Sequence, residues 1–234
     1  MNPTPTNFTD LEKKLNFSFK DKSLLAQAFI HRSYLNEASR PSLESNERLE
    51  FLGDAVLELA VSEFLYLHLP GKPEGELTSL RSSLVKTDTL AQVATKLNLG
   101  TYLKMSRGEE LGGGKTNKSL LANTTEALLG AIYLDHGLSQ VVSVVERYLF
   151  PKLSTIINLG LHRDSKSTLQ EKVQSQGLPT PEYYVLTEKG PDHQKTFVVE
   201  VLVGNKKWGE GKGSSKQRAE TQAARDALAM LEKK

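Results

Sequence analysis

Apolar residues recur at three- and four-residue spacing between Leu11 and about Leu159. This is the spacing of one buried face of an α-helix. Proline and glycine, which favour turns, interrupt the pattern at Pro41, Pro70 to Gly75, Gly100 and Gly112 to Gly114. We therefore predict an all-α domain over residues 1–159. Its main predicted helices are Leu24–Tyr34, Asn46–Leu67, Leu77–Leu97, Lys118–Asp135 and Ser139–Phe150.

The pattern changes after residue 159. Residues 160–166 are small, polar and charged, as short linkers are. A helical segment follows over 167–176, and three segments then alternate apolar and polar residues and are rich in β-branched types. An alanine-rich helix, with Ser214 or Ser215 as its N-cap, runs to about Leu231. We predict a small α+β domain of order α-β-β-β-α over 167–234, with strands Tyr183–Glu188, Thr196–Val203 and Lys206–Gly211.

The composition excludes several classes of site and leaves the partner open. The chain has no cysteine, so disulfides, thiolate zinc sites and cysteine nucleophiles are excluded. No apolar run approaches 18 residues, so we expect no membrane span and a cytoplasmic protein. Residues 1–162 carry 17 Lys/Arg against 18 Asp/Glu, whereas residues 163–234 carry 13 against 10. This modest basic excess is compatible with a nucleic-acid partner and equally with a solvated surface.

Acidic residues gather on one side of the predicted helix 46–67. At about 100° per residue they fall within an arc of about 80°. An ordinary amphipathic surface helix accounts for such a pattern. However, acids at this spacing repel one another, and a bound cation would relieve the repulsion. Gly53 costs about 1 kcal/mol relative to alanine in mid-helix, which indicates close packing by another backbone. The acids are Glu47, Glu50, Asp54 and Glu58.

A second polar pair, Asn123 and Glu126, lies one turn apart on the otherwise apolar helix 118–135. Polar side chains surrounded by leucine and alanine are rarely buried without partners. If this helix packs against the first, Asn123 and Glu126 converge with Glu50 and Asp54. Oxygen ligands without histidine or cysteine select magnesium or manganese.

Four motifs stand out in the helical unit: HRSY at 31–34, NERLEFLGDAVLEL at 46–59, PEGEL at 73–77 and LANTTEALLGAIYLD at 121–135. Three more lie in the second unit, at 167–171, 190–197 and 211–219. The first four resemble the motifs of the ribonuclease III family and the last three those of a double-stranded RNA-binding domain, so that the resemblance covers nearly the whole chain.

The resemblance implies a homodimeric, magnesium-dependent endoribonuclease, in which manganese can replace magnesium. Such an enzyme cuts both strands of double-stranded RNA to 5′-phosphate and 3′-hydroxyl ends with short 3′ overhangs, in the processing of ribosomal and messenger RNA precursors. Phe51 would pack against the partner subunit, and Glu47 and Glu74 would contact substrate or water near the metal. The implied metal ligands and catalytic residues are Glu50, Asp54, Glu126 and Asn123.

The third motif of the RNA-binding unit is the clearest in physical terms. A glycine-rich loop and a helix N-terminus offer backbone N–H groups to phosphate, and basic side chains add positive charge. Glutamine, glutamate and histidine on the other two motifs suit the shape of the RNA minor groove. Each residue alone is equally an ordinary solvent-exposed one, but the order of the motifs favours RNA binding. The predicted contacts are Gln170, Glu171, His193, Lys212, Ser214, Ser215, Lys216 and Arg218.

The chain departs from the family pattern at Asn123, where the family has aspartate. An amide oxygen still ligates a hard cation, but the formal charge of the site falls by one. Three interpretations follow: a tolerated natural variant, an introduced disabling change, or a protein that has lost cleavage and only holds RNA duplexes as a dimer. We favour the first, because the other acids remain. A helical metal enzyme acting on small phosphates is a weaker alternative, against which the RNA-binding unit speaks.

Overall fold

The structure is a computed structural model that describes residues 7–37, 43–160, 165–191 and 195–231. The chain divides into two units, Met1–His162 and Arg163–Lys234. The first is helical, and the second joins two helices to a three-stranded antiparallel sheet. This architecture confirms the predicted fold class.

The first unit is built around two long helices, α4 and α8. Their inner faces share one core with apolar residues of the surrounding helices, among them Leu57, Leu80 and Leu128. None of the helices in the described ranges, α4 included, is long and apolar enough to cross a membrane. The helices are α1 (Thr9–Leu15), α2 (Lys22–Gln27), α3 (Arg32–Leu35), α4 (Glu47–His68), α5 (Glu74–Val85), α6 (Thr87–Leu97), α7 (Arg107–Leu111), α8 (Lys118–His136), α9 (Leu138–Tyr148) and α10 (Leu153–Asn158).

Helices α4 and α8 approach each other through glycine. A Cβ atom at Gly53 would lie 1.8 Å from the backbone oxygen of Glu126, and one at Gly130 would lie 2.2 Å from the backbone oxygen of Leu49. Neither distance is compatible with any side chain, so both positions require glycine at this helix separation. The mid-helix cost of Gly53 is thereby explained, and the prediction of close packing by another backbone is confirmed.

Two predicted helices are each divided in the structure. The predicted helix Leu77–Leu97 is split between α5 and α6 at Lys86, whose backbone is extended. The predicted helix Leu24–Tyr34 is split between α2 and α3. Between them Ile30 pairs with Lys104 in an isolated β-bridge. Both breaks occur inside patterns whose apolar spacing continues, which is why periodicity did not locate them.

The second unit packs its two helices on one sheet. Strands β1 (Glu182–Lys189), β2 (Thr196–Val203) and β3 (Lys206–Gly213) pair in sequence order. Helix α11 (Ser165–Ser175) begins inside the segment predicted as a linker, and α12 (Lys216–Leu231) lies against β3. A Cβ atom at any of three alternate glycines of β3 would come within 2.5 Å of the α12 backbone, so small residues set this contact. They are Gly209, Gly211 and Gly213.

Candidate active site

Three carboxylates lie close enough on α4 and α8 to act on one another. The pKa of the Glu126 carboxyl is raised from 4.5 to about 7, first by burial and then by the negative charges of Asp54 and Glu50. The pKa of Glu50 is raised by burial and by the charges of Glu47 and Asp54. The close approach of the helices at Gly53 thus places Glu126 beside the acids of α4, as the sequence predicted.

Asn123 joins this group through a hydrogen bond. Its side chain donates to the Glu50 carboxylate, which opposes the rise in the Glu50 pKa. Both residues line a cavity of about 270 Å³ at the surface of the first unit, together with Glu47, His31 and Arg32. The four predicted ligands therefore belong to one electrostatically coupled group, beside a cavity open to solvent.

The remaining acids have different surroundings. Glu47 accepts a hydrogen bond from Ser45 Oγ at 3.0 Å and lies 3.8 Å from the Arg32 guanidinium. Glu58 forms an ion pair of 2.6 Å with Arg81 of α5, so its charge is already balanced. Glu74 begins α5 and accepts a hydrogen bond from Thr78 at 2.9 Å. Glu74 neither lines the cavity nor shifts the pKa of Glu50 or Glu126, so this chain alone does not bring it to the group.

The donor set suits a hard divalent cation. Three carboxylates and one amide oxygen, without cysteine or histidine, are the ligands that magnesium and manganese accept. Within the described ranges, no three acidic or histidine side chains stand at the spacing of a metal site.

Phe51 lies next to the acids but points into solvent. Its side chain is 81% exposed, and Leu59 and Tyr66 of the same helix are also exposed. At 100° per residue the three fall within an arc of about 80° on α4. An apolar stripe of this kind on a protein surface is typical of an interface.

The predicted RNA contacts on α11 are exposed. Gln170 and Glu171 face solvent, while Leu169 and Val173 on the other side of the helix are buried in the second core. Gln170 also lines a shallow cavity that includes Lys166 and residues of α12. The third predicted contact, His193, lies outside the described residues.

The remaining predicted contacts lie at the start of α12. Ser215 provides the N-cap, since its Oγ accepts the Arg218 N–H at 3.3 Å, and Arg218 Nη1 donates to Ser214 Oγ at 2.9 Å. Lys216 and Lys212 are exposed. Lys212, Ser214 and Arg218 line one open groove of about 510 Å³. The end of β3 and the first turn of α12 therefore present three cationic side chains near the N-terminus of this helix.

Sequence reasoning missed two contributors to the site. Gly130 is as necessary as Gly53 to the close approach of α4 and α8. The sequence indicates this only when it is already known that Gly130 lies opposite Leu49 on the other helix. Arg81 neutralises Glu58, the acid that periodicity grouped with the others. Neither contact is visible in the spacing of either helix by itself, because each joins residues of two helices.

Comparison with known proteins identifies the family. A model described as ribonuclease-III-like matches residues 21–153, and a double-stranded RNA binding motif matches residues 165–231. Ribonuclease 3 of Pelotomaculum thermopropionicum is 47% identical over 220 residues, which cover 94% of this chain and 91% of that protein. Ribonuclease 3 of Geobacillus kaustophilus is 46% identical over 224 residues, covering 96% and 91%. A solved nuclease domain of ribonuclease III from Campylobacter jejuni has a TM-score of 0.57 and 42% identity, and covers 62% of this chain and 99% of that one. The chain therefore belongs to the ribonuclease III family and is an endoribonuclease that acts on double-stranded RNA.

Proposed function

We propose that the chain uses divalent magnesium to cleave both strands of double-stranded RNA, and that it leaves 5′-phosphate and 3′-hydroxyl ends with short 3′ overhangs. Processing of ribosomal and messenger RNA precursors in the cytoplasm is the setting that the family resemblance suggests. The observation that carries the proposal is the coupled group of acids on α4 and α8, in which Glu126 has a pKa of about 7.

Glu50, Asp54, Asn123 and Glu126 would hold the metal, and manganese, which accepts the same ligands, would substitute for it. A bound magnesium ion supplies positive charge to the scissile phosphate and makes the attacking water more acidic. Because Glu126 is largely protonated below pH 7, metal binding must displace its proton. We therefore expect the rate to rise with pH through this range.

We assign catalysis to residues 1–159 and duplex binding to residues 167–234, joined by the segment 160–166. Lys212, Lys216 and Arg218 would contact phosphates at the N-terminus of α12, where backbone N–H groups also favour anions. Gln170 and Glu171 would contact the minor groove, where the 2′-hydroxyls are displayed. Their exposure on the surface of the second unit supports this assignment.

We also propose that the enzyme is a homodimer through the nuclease domain. The exposed apolar stripe of Phe51, Leu59 and Tyr66 supports this. In the Campylobacter jejuni nuclease domain a region is involved in dimer formation. Glu47 and Glu74 would then contact substrate or water near the metal. Within one chain Glu74 lies outside the acid group. In the proposed dimer, Glu74 of the partner subunit would supply this acid instead.

The test is cleavage of an end-labelled, fully paired RNA of several helical turns, with magnesium, with manganese and with chelator. We expect metal-dependent cutting of both strands, with fragments that carry 3′ overhangs. Tight binding with no cutting under either metal would refute the proposal.

A second candidate function, a dimer that holds duplexes without cutting them, is favoured only by Asn123. The variant Asn123→Asp separates the two. If the amide is tolerated, restoring the carboxylate lowers the magnesium concentration needed for half-maximal rate and changes the saturated rate by less than about tenfold. A gain of several orders of magnitude at saturating magnesium would show that Asn123 disables the natural enzyme.

A further inference from the structure

The motif His31 to Tyr34 has no role in the function proposed above. The structure places its first two residues on one wall of the 270 Å³ cavity, which Glu50 and Asn123 line as well. Two side chains able to donate hydrogen bonds therefore line the same cavity as two of the proposed metal ligands. A nucleotide whose phosphate is held at the acids would extend its neighbouring sugar–phosphate into such a space.

The backbone at His31 is held in place by two other segments of the unit. The His31 N–H donates to the Lys104 carbonyl at 2.9 Å, next to the bridge between Ile30 and Lys104. The Ile30 carbonyl in turn accepts the N–H of the buried residue Asn46 at 2.8 Å. These hydrogen bonds hold the backbone at His31 next to the beginning of α4, because Asn46 immediately precedes Glu47, the first acid of that helix.

One nitrogen of the His31 imidazole ring already has hydrogen-bond partners. Nδ1 accepts the Ser33 N–H at 3.3 Å and lies 2.8 Å from Ser33 Oγ, which itself accepts the Ser106 N–H at 2.9 Å. A ring nitrogen that accepts a backbone N–H carries no proton, so the proton of the ring is on Nε2. Nε2 has no hydrogen-bond partner among the described residues, which leaves its N–H available to a ligand in the cavity.

We propose that His31 is a substrate-contacting residue, which donates from Nε2 to an oxygen of the sugar–phosphate next to the scissile phosphate. Arg32 supports the contact. Its side chain is exposed at the cavity wall, and its guanidinium is 3.8 Å from Glu47, too far for a strong pair, so it remains available to a phosphate. This inference rests on the proposed function, because it takes RNA as the ligand and the acids as the place of cleavage.

Two substitutions separate contact with RNA from a structural role. His31→Asn keeps an oxygen close to the position of Nδ1, and asparagine is a good N-cap, so α3 retains its cap while the distal donor is lost. His31→Gln reaches the position of Nε2 with an amide N–H and loses the cap. We expect His31→Asn to lower kcat/KM on a duplex by at least tenfold and His31→Gln to remain within about threefold of the wild type.

Modified duplexes identify the atom that His31 contacts. Single 2′-deoxy or phosphorothioate substitutions are placed at each nucleotide near the cleaved bond and assayed with the wild type and with His31→Asn. A substitution that slows the wild type but not the variant marks a shared contact, at the ribose hydroxyl or at the phosphate oxygen respectively, and supports the proposal. Equal sensitivity of both proteins at every position overturns it, as does an asparagine variant of wild-type activity or a defect confined to the glutamine variant.

The proposed function and this inference can fail separately. If the wild type cleaves no duplex with either metal, the proposed function fails. Duplex affinity of the full chain, measured by fluorescence anisotropy in chelator, then decides the role of His31. The contact is supported by weaker duplex binding of His31→Asn than of the wild type, together with binding of His31→Gln as tight as that of the wild type. Unchanged binding by the asparagine variant overturns it.

Discussion

Replacement of Glu126 by glutamine tests the electrostatic description of the acid group without requiring catalysis. Glutamine has almost the volume of glutamate, keeps its hydrogen-bonding oxygen and carries no charge. In the wild type, the raised pKa means that the folded protein binds the Glu126 proton more tightly than the unfolded chain does. The corresponding stability is fully present below pH 4.5, the ordinary value, and is lost as the pH rises through about 7. The variant has no such proton to lose.

The structure sets the size of the effect. A pKa raised from 4.5 to about 7 corresponds to about 3 kcal/mol at pH 8. Part of the carboxyl surface remains in water, and solvent screening reduces the figure to about 1 to 2 kcal/mol. In metal-free buffer at pH 8, we therefore expect Glu126→Gln to be more stable than the wild type by this amount. The difference should fall to less than half at pH 5.

Urea unfolding followed by circular dichroism, in chelator at pH 5, 6, 7 and 8, measures the difference. Glu63→Gln is the matched control, because Glu63 is an exposed acid of α4 and its replacement should shift all four points equally. Added magnesium should stabilise the wild type more than Glu126→Gln, since a ligand stabilises the state that binds it and the glutamine amide lowers the charge of the site by one. Stability curves of wild type and Glu126→Gln that run parallel from pH 5 to 8 would refute the reasoning.

Three further predictions concern other parts of the chain. Gly53→Ala should destabilise the nuclease unit by about 3 kcal/mol and abolish cleavage, because its Cβ would lie 1.8 Å from the Glu126 carbonyl oxygen. In the control Gly71→Ala the added Cβ meets nothing within 4 Å, so this variant should unfold in urea as the wild type does. Phe51→Ala should dissociate the proposed dimer, measured by sedimentation velocity, and should change the stability of the monomer by about 0.5 kcal/mol or less. Leu111→Ala is the control that should not change the oligomeric state, because Leu111 is 79% exposed and Phe51 is 81% exposed. The double variant Lys216→Ala with Arg218→Ala should weaken binding to duplexes of every sequence and lower the slope of log Kd against log salt by about 2. Fluorescence anisotropy between about 50 and 200 mM salt measures this slope. Replacement of the exposed residues Lys13 and Lys20 by alanine is the control and should leave the slope unchanged.

The sequence predicted the fold correctly where the residue pattern within one helix or strand was enough to identify that helix or strand. Helices α4 and α8 have apolar faces long enough to define them, and β2 alternates regularly between buried and half-buried residues, so the existence of these elements followed from pattern. Strands β1 and β3 show no such regular alternation of burial. The breaks at Lys86 and at Ile30 did not follow. At Ile30 the chain pairs with Lys104 in a bridge that no local window contains, and at Lys86 the backbone is extended inside an apolar pattern that continues.

The site shows the same division between local and non-local information. The spacing of Glu50 and Asp54 on one helix, and of Asn123 and Glu126 on another, was readable from the sequence, and the cost of Gly53 indicated a close neighbour. Which acid is balanced by a cation was not readable, since Arg81 belongs to a different helix from Glu58. Nor did the spacing reveal the cavity, because His31 reaches it through an anchored loop rather than through a helix.

Asn123 acts on both states of the acid group, and the two effects have opposite signs. In the metal-free protein its side chain donates a hydrogen bond to Glu50 and opposes the burial and the like-charge repulsion that raise the pKa of that carboxyl. An aspartate at this position could not donate when ionised, and it would add a fourth negative charge to the group. With a cation present, the same added charge would strengthen binding. We therefore expect the Asn123→Asp variant to need less magnesium than the wild type for half-maximal cleavage, and to unfold more easily than the wild type in chelator.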